Sequence, residues 1–128
     1  MTETDSPKTI LVVDDDMVNL AILKTIISGA GYAVLTAESA KDALTLAGKN
    51  LPDLIILDIM MPDMDGTELA TIFKADPKTR KIPIIFLSSL ISAKEERSNL
   101  NKALISYLSK PYKRDLLLNL VRKCLTAT

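Results

Sequence analysis

Short, mostly apolar runs recur along the chain at residues 10–13, 32–37, 54–57, 82–87 and 105–109. Most are rich in branched residues and bounded by turn formers, which suits strands buried on both faces of a sheet. Between them the apolar spacing changes to that of helices. Leu20, Leu23, Ile26 and Ile27 fall on one helical face, with Asp16 placed to cap it and Gly29 and Gly31 to stop it. Ser39-Ala40-Lys41-Asp42 resembles a capping box and opens a helix to about residue 47, with Ala43, Leu44 and Ala47 inward and residues 48–52 ending it. Asp65 can cap a third helix over residues 66–75, with Leu69, Ile72 and Phe73 on one face, before Asp76-Pro77 breaks it. Ser92-Ala93-Lys94-Glu95 is a full capping box and opens a fourth, unusually polar helix. A fifth is expected over residues 113–125, with Leu116, Leu117, Leu120 and Cys124 inward.

The pattern is thus a strand followed by a helix, repeated. Such alternation argues for an α/β fold, a doubly wound parallel sheet covered by helices on both faces. Residues 8–125 form one domain on this reading, with a loose tail over 1–7 and a tail or linker start over 126–128. In open parallel sheets, ligands bind beyond the carboxyl ends of the strands, where strand order reverses.

Composition narrows the chemistry. The chain has 128 residues, enough for one core, and 16 basic residues balance 16 acidic ones. There is no global basic field to attract nucleic acid, and aromatics at 4% make a base-stacking platform unsuitable. Histidine is absent, which removes imidazole metal sites, serine–histidine–aspartate triads and any phosphohistidine on this chain. The single cysteine, Cys124, reads as a small apolar core residue of a protein in a reducing cytoplasm. No segment approaches 18 apolar residues and the first residues are polar, so neither a membrane span nor a signal peptide is expected.

The polar residues that remain gather at one edge. The first strand ends in Asp14, Asp15 and Asp16, the third in Asp58, the fourth in Ser88 and the fifth in Lys110. Each has a bland reading alone: a helix cap, a turn, a surface lysine. Together they place carboxylates, a hydroxyl and a cation where the sheet would hold a site. Like charges 4 Å apart repel by about 4 kcal/mol at an effective dielectric of 20, so clustered carboxylates call for a cation. Oxygen ligands without His or Cys favour a hard cation, Mg²⁺ first. A carboxylate beside Mg²⁺ can attack phosphorus and form an aspartyl phosphate, with Lys110 and Ser88 suited to the charge on the transferring group.

The motifs Val13-Asp14-Asp15-Asp16, Leu57-Asp58-Ile59-Met60-Met61-Pro62-Asp63-Met64-Asp65-Gly66, Leu87-Ser88 and Tyr107-Leu108-Ser109-Lys110-Pro111 are specific in combination. Over residues 8–125 the chain resembles the receiver domain of bacterial two-component response regulators. The resemblance implies a flavodoxin-like five-stranded sheet of order 2-1-3-4-5. It implies that Asp58 accepts a phosphoryl group from a phosphohistidine on a sensor histidine kinase or histidine phosphotransfer protein. It implies Mg²⁺ on Asp15, Asp58 and the backbone carbonyl of Met60, with Asp14 acting through water. Lys110 would pair with the phosphoryl oxygen, after a cis peptide to Pro111. Ser88 would be the switch hydroxyl and Tyr107 the aromatic that swings inward behind it; an ordinary edge-strand aromatic is the bland reading of Tyr107. Such a protein is a signalling phosphoacceptor in a phosphorelay rather than a conventional enzyme, with only self-phosphorylation and slow self-dephosphorylation expected.

The departures are local. Ser88 stands where the family also uses Thr, and Ala103-Leu104 replaces a common Gly-Ala before the fifth strand. Met60 and Leu90 hold positions that tune hydrolysis, and neither can orient a water, so the phosphorylated form should be long-lived. The polar fourth helix, the fifth strand and the fifth helix, with Leu118, form either a partner or homodimer surface or a solvated face. Lys110, Lys113, Arg114, Arg122 and Lys123 read as complementarity to an acidic partner or as helix-end charge. Two rival functions remain. Asp14-Asp15-Asp16 also fits the opening of haloacid-dehalogenase-like phosphatases, which need a later acidic pair that Phe86-Leu87-Ser88-Ser89 lacks. A pseudo-receiver scaffold is the other, set against the intact Asp14, Asp15, Asp58, Ser88 and Lys110.

Overall fold

The computed structural model describes residues 7–59, 65–88 and 105–126. Five parallel strands, β1 (Thr9–Val13), β2 (Ala33–Ala37), β3 (Leu54–Asp58), β4 (Ile84–Ser88) and β5 (Ile105–Ser109), form one sheet in the order β2-β1-β3-β4-β5. The described helices are α1 (Met17–Gly29), α2 (Ala40–Asn50), α3 (Gly66–Ala75) and α4 (Arg114–Thr126). The strand order is the one the resemblance implied. The fourth predicted helix, from Ser92, lies outside the described residues.

Handedness sorts the helices. The chain steps one way from β1 to β2, and the other way from β2 to β3 and from β3 to β4. Right-handed crossovers therefore put α1 on one face and α2 and α3 on the other. Two cores result. Leu11, Val13, Ile55, Leu57, Ile84 and Phe86 meet Ala43 and Ala47 of α2 and Leu69 and Phe73 of α3. Ile10, Val12, Leu54, Ile56, Ile85 and Leu87 meet Leu23 and Ile27 of α1 and Leu117, Val121 and Cys124 of α4. Because alternate residues face opposite cores, the central strands carry unbroken apolar runs (Ile10–Val13, Leu54–Leu57, Ile84–Leu87), which is why the runs lack alternation. Each fully buried Leu, Ile or Phe contributes about 1.5–3 kcal/mol relative to exposure.

Several boundaries moved. Helix α1 runs through Gly29, and Gly31 takes the positive φ of 100° that ends the turn. Helix α2 passes through Gly48, and Leu51 instead adopts the left-handed conformation at φ 46°. Ile72 and Leu116 are exposed rather than inward; Ala70 and Val121 fill those core positions. The rest of the expected stripe, Leu69 and Phe73 on α3 and Leu117, Leu120 and Cys124 on α4, is buried as predicted. Leu44 and Ile26 are partly buried against the cores. Lys74 has a structural role that its sequence context does not announce. Its ammonium donates to the carbonyls of Arg80 at 3.1 Å and Ile82 at 2.7 Å, tying the α3–β4 connection, and burial lowers its pKa.

Candidate phosphoryl-transfer site

The strand register brings the acids together. β1 lies between β2 and β3, so the residue after Val13 emerges beside the end of β3. The Asp14 N–H is held by the Ala37 carbonyl at 3.1 Å, one step past the last β1–β2 pair. Carboxylate oxygens of Asp14, Asp15 and Asp58 lie within 4.8 Å of one another. Asp14 is buried, Asp15 exposed and Asp58 half-buried. Asp16 stays out of the cluster; its carboxylate accepts from Val18 N–H at 2.9 Å and from Asn19 N–H at 3.4 Å, capping α1 as expected.

Lys110 supplies the cation. It follows β5, its N–H is held by the Ser88 carbonyl at 3.0 Å, and its peptide bond to Pro111 is cis. Its Nζ lies 3.3 Å from Asp58 Oδ2 and 3.9 Å from Asp14 Oδ2. Ser88 is buried at the end of β4, one residue beyond Leu87, the register partner of Asp58. Tyr107 is half-buried on β5, its ring stacked on Phe86 at a centroid distance of 5.6 Å and an interplanar angle of 27°. Met60 and Leu90 lie outside the described residues.

Among the described residues three carboxylates cluster and Lys110 pairs with two of them, Asp58 and Asp14; the imbalance shows at Asp14. Its pKa rises from 3.8 to about 6, chiefly through burial. The Asp16 N–H, bound to Asp14 Oδ1 at 3.0 Å, pulls it down, and so does Lys110. Asp58 and Asp15 push it further up. Asp14 Oδ2 is buried without a hydrogen-bond partner. At the 4.8 Å limit each carboxylate pair repels by roughly 3–4 kcal/mol at an effective dielectric of 20. An orphaned buried oxygen in an all-oxygen cluster is what a hard divalent cation would satisfy.

Gly66 is a site residue that the sequence showed only as the first residue of the third helix. Its N–H donates to the Ile59 carbonyl at 2.7 Å. A Cβ there would lie 2.5 Å from the Asp58 carbonyl oxygen and 2.7 Å from Ile59 Cα. Only glycine lets the start of α3 close against the backbone of Asp58. Asp65 caps α3, and the Thr67 N–H and hydroxyl, both 2.9 Å from Asp65 Oδ1, hold its pKa below the ordinary value. Tyr112 was also missed. Burial and the charge of Asp14 both raise its pKa, which sets its phenol near the cluster.

The model for the response regulator receiver domain matches residues 10–122. Over 102 residues the chain is 38% identical to the response regulator PleD of Caulobacter vibrioides, a match covering 80% of this chain but only 22% of PleD. It is 30% identical over 105 residues to the polar-differentiation response regulator DivK of Brucella anthropi, covering 82% of this chain and 85% of DivK. A crystal structure of a response regulator from Chloroflexus aurantiacus superposes with a TM-score of 0.83 at 34% identity, over 94% of this chain and 98% of that one. The family model spans most of the chain and the strand order agrees with it, so this chain belongs to that family: it is a response regulator receiver domain, a phosphoacceptor module of two-component signalling.

Proposed function

We propose that Asp58 is the phosphoacceptor and that its donor is a phosphohistidine on a sensor kinase or phosphotransfer protein. The observation that carries this reading is Lys110 Nζ at 3.3 Å from Asp58 Oδ2, on the edge where three carboxylates converge. Asp58 is half-buried, open enough to meet a donor, while Asp14 is closed off. A carboxylate oxygen of Asp58 attacks phosphorus, and the donor nitrogen departs with the electron pair. Protein assistance in such transfers is mainly positioning and charge stabilisation. Lys110 exchanges its contact with the Asp58 carboxylate for one with a phosphoryl oxygen. Ser88 offers a hydroxyl from β4 to the same group. Asp15, Asp58 and the Met60 carbonyl would hold Mg²⁺, with Asp14 engaged through water; the orphaned Asp14 Oδ2 supports that assignment. When bound, Mg²⁺ neutralises carboxylate and phosphoryl charge.

The phosphoryl group adds about two negative charges and strong acceptor oxygens. We infer that Ser88 and Tyr107 read this change. They lie on adjacent strands, and Tyr107 starts half-buried against Phe86, so an inward movement of Tyr107 breaks that stack. Shifting such an element from 1:99 to 99:1 needs about 5.5 kcal/mol of differential stabilisation.

The test is intact mass after incubation with Mg²⁺ and acetyl phosphate, comparing wild type with Asp58→Asn. A gain of one phosphoryl group, roughly 80 Da, in wild type alone supports Asp58 as the nucleophile. An adduct that survives Asp58→Asn and vanishes in Asp14→Asn would move the nucleophile to β1, as in the phosphatase reading.

A further inference from the structure

A cavity of about 470 Å³ opens between α1 and the segment that joins β5 to α4. Asp14 and Lys110 line one end of it, so it is continuous with the acid cluster. Ile22, Ile26 and Tyr112 line its body, and Arg114 adds a second cation to its wall. The size lies within the range of small-molecule sites, and an apolar body with a few charged groups is their usual composition. Neither core accounts for this opening. Ile22 is 48% exposed although it faces the cavity wall, and Tyr112 is only partly packed against the core. At the cluster end Lys110 offers a cation beside the carboxylate of Asp14, and the apolar middle favours a flat hydrophobic group.

We propose that this cavity receives the leaving group of a small phosphodonor, and that it selects donors whose leaving group is a flat aromatic acid. The proposal rests on the reading of Asp58 as phosphoacceptor. The phosphoryl end of an aryl acyl phosphate meets Asp58 and Lys110, and the ring lies against Ile22 and Tyr112. A carboxylate oxygen of Asp58 bonds to phosphorus while the bond from phosphorus to the acyl oxygen breaks. The electron pair leaves with the arylcarboxylate, and no proton is transferred. Acyl phosphates with a short aliphatic group react by the same route but leave the apolar body of the cavity unfilled.

The experiment compares the rate of mass gain with benzoyl phosphate and with acetyl phosphate, each with Mg²⁺. Benzoate and acetate are leaving groups of similar basicity, so their intrinsic reactivities are close. The expected result is at least a tenfold higher kcat/KM for benzoyl phosphate in wild type. Ile22→Ala and Tyr112→Ala should bring that ratio near one. Ile72→Ala, a change at an exposed position of α3 on the opposite face of the sheet, should leave it unchanged. A second readout uses benzylphosphonate, which cannot transfer its phosphorus; its amide NMR shifts should concentrate at Ile22, Ile26 and Tyr112. Equal rates with both donors would overturn the selective cavity while leaving Asp58 as acceptor. Benzylphosphonate shifts confined to other parts of the chain would overturn it too. No mass gain with either donor would overturn the cavity's role and the phosphoacceptor reading together.

Discussion

Replacing Asp14 by Asn should stabilise the metal-free protein. Asp14 is 1% exposed, its Oδ2 lacks a hydrogen-bond partner, and its pKa is raised from 3.8 to about 6. A raised folded-state pKa means the protonated carboxyl favours the fold. That contribution is complete below pH 3.8, fades as pH rises, and is gone above about pH 6. At neutral pH the folded protein therefore carries a penalty relative to acid. At 1.36 kcal/mol per unit, the rise from 3.8 to about 6 corresponds to about 3 kcal/mol. Asn is neutral at every pH, and its Oδ1 can still accept from the Asp16 N–H now bound at 3.0 Å. Relaxation of the variant trims the gain, so about 1–3 kcal/mol is expected at pH 7.5 in chelator. In urea this moves the midpoint by about 1–2 M for a domain of this size. The gap between the two proteins should shrink to about half by pH 5, as wild-type Asp14 takes up its proton. Adding Mg²⁺ should raise the wild-type midpoint more than that of the variant, because a bound ligand stabilises by mass action and Asn holds a cation less well. Equal midpoints in chelator at pH 7.5, or a gap that does not change between pH 7.5 and 5, would refute the reasoning.

Further outcomes follow from single contacts. Gly66→Ala forces a Cβ to within 2.5 Å of the Asp58 carbonyl oxygen, so it should cost about 1–3 kcal/mol in urea unfolding and slow mass gain from acetyl phosphate. Leu51→Gly should instead stabilise by up to about 1 kcal/mol, measured by thermal melting, because Leu51 holds φ 46° at the end of α2 and is half exposed. Lys110→Ala removes the cation 3.3 Å from Asp58, so Mg²⁺ should bind several-fold more tightly by titration calorimetry while phosphorylation slows. Met60 and Leu90 cannot orient a water, and the aspartyl phosphate should persist for minutes or longer when followed by mass after donor removal; decay too fast for hand mixing would contradict this.

The sequence exposed the sheet because each central strand faces two cores, and a run such as Leu54, Ile55, Ile56 and Leu57 has no other use for four buried residues in a row. The site was legible for a related reason. Asp14, Asp58, Ser88 and Lys110 each break such a run at its end, and parallel strands bring their ends to one edge. What stayed hidden depended on packing across the chain. Ile72 and Ala70 share one turn of α3, and periodicity alone cannot say which of them faces β4; the larger residue is the exposed one. Gly48 looked like a helix stop, yet α2 runs on and strains Leu51 instead. Gly66 read only as the start of a helix because the reason for it, the backbone of Asp58, lies eight positions earlier and touches it only in three dimensions.

The same comparison explains why the charge balance of the chain was misleading about the site. Formal charge sums to zero over the whole chain, yet the edge of the sheet gathers three carboxylates against one lysine. Burial makes that local excess expensive at Asp14, where water cannot screen it. A metal-free site under this load is poised to take a cation. On the proposed reading, a cation that neutralises part of the excess would let a phosphoryl group approach Asp58, which the bare carboxylates would repel. If Asp58 is the acceptor, the penalty at Asp14 links fold stability to readiness for phosphorylation. A variant that relieves the penalty without supplying charge, such as Asp14→Asn, should gain stability while its mass gain from acetyl phosphate slows.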